Sequence, residues 1–282
     1  MPELPEVETI TRQLVHSVVG KRIINITARW PRSLTAAPQD LDDAIGARIT
    51  RVERRGKLII ISTDSDSSVL IHLRMTGQLL LGVLEKPDQH ERARIVLDDT
   101  SVLRFNDQRK FGRIQVISQE AAARDPFLVA LGPEATDAAA VARALRRHAP
   151  RRRSPIKALL LDQHVIAGIG NIYADEILFT AGINPATEAS ALSIPRLRRL
   201  ASACPEILNQ AIDLRGSTLR DYRDLDGTSG TYLSVARVHG RKGQTCRRCS
   251  ATIAYASVAG RGTYWCPSCQ RRTRSALGNP FT

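Results

Sequence analysis

The sequence predicts an α+β protein of two domains. The N-terminal one is an antiparallel β-sandwich or barrel carrying one helix; the C-terminal one is helical and ends in a four-cysteine hairpin. Three observations predict this. Short Val/Ile/Leu-rich runs separated by turn residues follow one another from position 22 to 117, without β–α–β alternation. From Thr136 the texture becomes helical. Near the C-terminus, four of the five cysteines form two Cys-x-x-Cys pairs. With 282 residues, 43% hydrophobic but only 4% aromatic, the chain builds its core from aliphatic side chains.

The elements follow in order. A first helix runs from about Glu3 to Val19, with Val7, Ile10, Leu14 and Val18 on one face and Gly20 as its stop. Strands are predicted at Arg22–Ala28, Arg48–Glu53, Leu58–Ser62, Val69–Leu73, Gln78–Leu84, Arg94–Leu97, Val102–Phe105 and Arg113–Ile117. Ala138–Arg147 reads as helix, and HAPRRRSP as a linker. Ser154 as N-cap and Pro155 as first residue start a helix that continues through LLLDQHVIA to Gly168. Asn171 opens another, ending at Gly182, and a longer helix covers about Ile194–Leu214 with Pro205 as a kink. Residues 216–245 read as a mobile polar loop, and Ser275–Thr282 as a tail.

Charge narrows the function classes. The net charge is +13, yet residues 1–137 carry 19 basic and 19 acidic side chains, so the whole excess lies in residues 138–282. A polyanion such as DNA fits that asymmetry. A membrane partner is not expected: there is no basic amphipathic helix with a large aromatic face and no run of about 18 apolar residues. The acidic start MPELPEVE has no apolar segment and predicts no signal peptide, so a cytoplasmic protein is expected.

Cys246 and Cys249 are followed, after 16 intervening residues, by Cys266 and Cys269. In a reducing compartment such spacing predicts one closed, tetrahedral, structural Zn2+ site rather than disulfides. The connecting ATIAYASVAGRGTYW reads as a hairpin turning near Gly260–Gly262, with Arg261 at its tip.

MPELPEVE, HLRMTG at 72–77, NDQRKFG at 106–112, GIGNIYADE at 168–176 and the cysteine hairpin, in that order, resemble formamidopyrimidine-DNA glycosylase over essentially the whole chain. The resemblance implies a β-sandwich catalytic domain (1–137), a hinge region (138–154), a helix–two-turn–helix DNA-binding domain (155–240) with a lesion-capping loop at 216–233, and a zinc finger (241–274). The implied activity is base-excision repair at the nucleoid: release of 8-oxoguanine and formamidopyrimidines from duplex DNA, then β,δ-elimination at the abasic site. A monomer is expected.

The resemblance also implies roles. Pro2, exposed as the amino terminus after loss of Met1, is the nucleophile, and Glu3 the acid/base carboxylate. A free α-amine has a pKa near 8, so roughly a tenth is neutral at pH 7, and a helix start depresses it further. Lys57 binds phosphate beside the lesion and assists base protonation; Arg261 grips phosphate and serves the later elimination. Met75, Arg109 and Phe111 fill the space left by the extruded base. Asn171 and Lys157 contact phosphate, and His72 lies near the DNA backbone. Thr231 stands where Tyr is usual in this family, and His239-Gly-Arg replaces Tyr-Gly-Arg. Two rival readings remain: an endonuclease VIII-like enzyme for oxidised pyrimidines, and a non-enzymatic zinc protein that binds damaged DNA.

Overall fold

The computed structural model describes residues 2–83, 85–218 and 222–272. Five expectations therefore fall, wholly or in part, outside the described residues: loss of Met1, the end of the strand at Leu84, positions 219–221 of the capping loop, the last two residues of the zinc module, and the tail Ser275–Thr282. The chain divides into two compact units, Met1–Ala130 with Ala211–Tyr232, and Leu131–Gln210 with Leu233–Thr282.

The first unit opens with α1 (Leu4–Val18), then β1 (Ile23–Ala28), β2 (Leu34–Ala36), α2 (Pro38–Ala44), β3 (Ile49–Arg55), β4 (Leu58–Thr63), β5 (Ser67–His72), β6 (Gly77–Val83), β7 (Glu91–Leu97), β8 (Ser101–Asp107), β9 (Arg113–Ser118), α3 (Gln119–Ala123) and α4 (Pro126–Val129). The strands form two sheets, β1-β7-β8-β6 and β2-β9-β5-β4-β3. β2 and β9 pair in parallel; the other pairs are antiparallel. Side chains from both sheets meet in one core with Val7, Ile10, Leu14 and Val18 of α1. Each such buried aliphatic side chain contributes on the order of 1.5–3 kcal/mol. Tyr222 and Leu225 join the same core, and the Leu225 carbonyl accepts from the Leu81 N–H. The segment that the sequence groups with the C-terminal half is thus tied into the sandwich unit.

In the second unit, α5 (Ala138–His148) is followed by α6 (Ile156–Leu161), α7 (Asn171–Thr180), α8 (Ile194–Asp213) and the hairpin β10 (Ala254–Val258) and β11 (Arg261–Trp265). The division between units falls in the last turn of α8. Two expectations are corrected here. α6 begins at Ile156 with Pro155, not Ser154, as its N-cap, because Pro155 is held extended by a bridge to Glu188. It ends at Leu161, not Gly168, because the Gln163 side chain organises a turn instead. Its amide donates to the Leu161 and Ile169 carbonyls, and its Oε1 accepts from the Gly168 N–H. Residues 222–245 are also less loop-like than expected: Tyr232, Ala236 and Val238 are buried. Among the described residues no helix is long and apolar enough to cross a membrane.

Candidate active site and nucleic-acid interface

Pro2 is buried immediately before α1. Glu3 is the N-cap of that helix and forms a reciprocal capping box with Glu6. The Glu6 carboxylate is almost fully buried. It accepts the Glu3 N–H at 2.7 Å and the Ser217 N–H at 2.6 Å. One carboxylate thus fixes the backbone that follows Pro2 and the start of the 216–233 segment. The neck of that segment is tight. A Cβ on Gly216, whose φ is +80°, would sit 2.6 Å from Glu6 Oε1, and one on Gly230 would sit 2.3 Å from the Gly216 carbonyl oxygen.

Sheet register gathers a second group. Leu58 pairs with His72, and His72 with Arg113. The start of β4, the end of β5 and the start of β9 therefore share one end of the five-stranded sheet. Lys57 precedes β4, Met75 follows β5, and Arg109 and Phe111 precede β9, so these candidates and His72 come together there. Lys57 is largely buried, in a turn that Gly56 makes with φ +58°. Met75 and Phe111 are the reverse: 42% and 50% exposed. The Arg109 guanidinium lies 4.9 Å from the centre of the Phe111 ring. Arg74 and Lys110 adopt φ of 54° and 60°, left-handed backbone that non-glycine residues adopt at a cost and that clusters at functional sites.

The two loops are locked together by Asp107, which is fully buried. Its Oδ1 accepts from Thr76 Oγ1 at 2.5 Å and from the Arg109 N–H at 3.2 Å. Its Oδ2 accepts from the Gly112 N–H at 2.7 Å. Sequence reasoning missed Asp107, although it lies inside NDQRKFG; an Asp among cations reads as surface charge. Burial, then the nearby Arg74 and Lys57 cations, push the His72 ring down to about 3. Its Nδ1 accepts the Arg74 N–H at 3.0 Å, which leaves Nε2–H as the donor of a neutral ring.

In the second unit, Asn171 is the first residue of α7, and Gly170 is the N-cap. The side chain does not cap the helix. Its Nδ2 donates to the Gly262 carbonyl at 3.0 Å, and its Oδ1 is buried without a partner. Lys157 corrects an expectation. It is completely buried, and its ammonium meets Asp175 Oδ1 at 2.7 Å, Thr263 Oγ1 at 2.9 Å and the Gly262 carbonyl at 3.1 Å. It is therefore directed into the protein rather than at phosphate. Arg261 is exposed and opens β11 opposite Val258, just after a two-residue turn. Ala259 and Gly260 there have φ of 50° and 73°, as a tight hairpin turn requires.

Cys246, Cys249, Cys266 and Cys269 place their sulfurs within 4.8 Å of one another. Tetrahedral zinc with Zn–S near 2.3 Å needs sulfurs roughly 3.8 Å apart, and Cys249 and Cys266 already stand at 3.4 Å. The Arg248 N–H donates to Cys246 Sγ and the Cys269 N–H to Cys266 Sγ, both at 3.4 Å. The donor set fits one zinc ion with no open position. Cys204 lies apart, buried in α8, its thiol pushed up to about 12 by burial.

Fold and site together define a zinc-hairpin nucleic-acid protein, with a β-sandwich unit and a helix–two-turn–helix unit. The family models that match are the formamidopyrimidine-DNA glycosylase N-terminal domain at residues 1–114, its H2TH domain at 131–223, and the zinc finger found in FPG and IleRS at 243–272. Formamidopyrimidine-DNA glycosylase of Chloroflexus aurantiacus is 43% identical over 96% of this chain and 98% of that protein. The Xanthomonas oryzae protein of the same name is 42% identical over 96% and 100%. The MutM (Fpg) crystal structure from Thermus thermophilus superposes with TM-score 0.86 at 38% identity, covering 97% of this chain and 100% of that one. Lactococcus lactis Fpg in complex with DNA containing an abasic site gives 0.87 at 36%, covering 96% and 100%. The chain belongs to the formamidopyrimidine-DNA glycosylase family.

Proposed function

We propose that this protein excises oxidised purines from duplex DNA and cuts the strand at the resulting abasic site, acting in the cytoplasm at the nucleoid. The observation that carries the reading is the Pro2–Glu3 pair, buried at the amino end of α1. Once Met1 is gone, the Pro2 nitrogen holds a lone pair beside the positive helix end. It attacks C1′, the glycosidic bond breaks, and the base leaves with a proton. Opening of the sugar gives an iminium between C1′ and the proline nitrogen. Glu3 supplies and removes protons at the sugar. The iminium acidifies C2′; loss of that proton breaks the C3′–O bond, and a second elimination breaks C5′–O.

Met75, Arg109 and Phe111 occupy the space of the extruded nucleotide, where they replace lost stacking. Lys57, Arg261 and Asn171 hold phosphates, and the neutral His72 donates from Nε2. Zinc stiffens the hairpin that bears Arg261 and takes no step in the reaction. The test is borohydride trapping on duplexes carrying 8-oxoguanine or thymine glycol. A covalent adduct that forms preferentially with 8-oxoguanine is expected. Preferential trapping on thymine glycol would move the protein to the pyrimidine branch, and no trapping on either would remove the amine mechanism.

A further inference from the structure

Asp175 is fully buried in the middle of α7, yet three other segments converge on its carboxylate. Oδ1 pairs with Lys157 of α6 at 2.7 Å. Oδ2 meets His239 Nδ1 at 2.9 Å and accepts the Tyr264 N–H of β11 at 3.2 Å. The Lys157 ammonium also reaches β11, at Thr263 Oγ1 and the Gly262 carbonyl. His239 is held in turn. Its backbone N–H, with those of Arg237 and Val238, donates to the buried Glu176 carboxylate at 2.8–2.9 Å. Its ring lies edge-on to Tyr264 at 4.8 Å.

Buried charges are retained only where partners compensate them, and here the compensation comes from the hairpin. Gly262, the residue after Arg261, is held at its carbonyl by both Lys157 and Asn171. The next two residues are held through Thr263 Oγ1 and the Tyr264 N–H. The backbone at Arg261 thus has a fixed register against the amino end of α7, while its side chain stays exposed.

We infer that Lys157, Asp175 and His239 are positioning residues that set the zinc hairpin against α7 and so aim Arg261 at the DNA backbone. The inference rests on the reading of Arg261 as a phosphate contact. Lys157 then serves DNA binding from inside the protein, without touching DNA.

The test measures duplex affinity against salt concentration in the zinc-loaded full chain, with metal content checked for every variant. Arg261→Ala alone should lower the slope of log K against log salt by about one. An unchanged slope would remove the phosphate reading itself and, with it, the positioning role of Lys157, Asp175 and His239. Given that drop, His239→Phe and Asp175→Asn should each weaken binding roughly three- to thirtyfold and lower the slope by the same amount. Adding Arg261→Ala to either should then cost little more. His239→Asn, which keeps an N–H donor near the Nδ1 position, should restore the parent slope. General loss of stability would not produce that pattern of slope and non-additivity. If Asp175→Asn does not fold or loses zinc, the His239 pair decides alone. A parent slope in His239→Phe, with Arg261→Ala still costing its full factor in that background, overturns the proposal.

Discussion

At the scale of single residues, the site is built by buried acids. Asp107 satisfies three donors from the two loops that present Met75, Arg109 and Phe111. Asp107→Ala leaves those donors without their buried acceptor, at a cost of about 1–3 kcal/mol. Excision of 8-oxoguanine should fall at least tenfold, while a urea midpoint confirms that the variant still folds; parent-like excision would show that the loops hold themselves. His72 gives a pH prediction. Its folded pKa is depressed to about 3 from an ordinary 6.5, so between those values the unfolded chain binds a proton that the folded chain refuses. Stability therefore rises with pH through that window and is lost as pH falls below about 6.5. His72→Phe removes this contribution, so its urea midpoint should drop less than the parent's between pH 7 and pH 5. Equal drops would mean that the ring takes up its proton in the folded state.

At the scale of elements, much of the architecture was legible because periodicity and turn chemistry are local. The spacing of Val7, Ile10, Leu14 and Val18 marks the buried face of α1, and eight apolar runs correspond to eight strands. β2 was not legible: a three-residue strand is defined only by its parallel pairing with β9. The early end of α6 depends on where the Gln163 side chain goes, and no helical pattern encodes that. Lys157 shows the same limit at the site, since nothing local says that a lysine in SPIKALL is buried. Glu6 is a third case, with a role that needs residues 211 positions apart. It yields a prediction about an element. Gly216→Ala meets both a left-handed backbone and the Glu6 carboxylate, so it should shift the neck of the 216–233 segment. We expect a loss of about 1–3 kcal/mol in stability. Excision of intact 8-oxoguanine should fall more than cutting at a preformed abasic site, where no base has to be held. Equal loss on the two substrates would argue that the segment does not serve base capture.

At the scale of the whole molecule, the proposed chemistry draws on both ends of the sequence, the nucleophile from residue 2 and a phosphate grip from the zinc-bound hairpin. The basic excess confined to residues 138–282 suits that division of labour, because the half carrying the hairpin supplies the long-range attraction to DNA. Such an arrangement separates the metal from the reaction in time. Four sulfurs close the zinc site, so a chelator added with the substrate should leave the first turnovers intact, and the product should be a one-nucleotide gap with phosphate at both ends. The small apolar cluster around the hairpin, which includes Phe179, Val238, Ile253 and two of the metal-binding cysteines, is too slight to hold β10 and β11 without metal. Prolonged chelation or thiol modification should therefore abolish tight DNA binding in parallel with zinc release. Retention of Met1 should act oppositely: zinc and DNA binding persist while borohydride trapping and strand cutting disappear, because the amine is blocked. Immediate inhibition by chelator, before zinc has left the protein, would instead place the metal in the reaction and refute the amine mechanism.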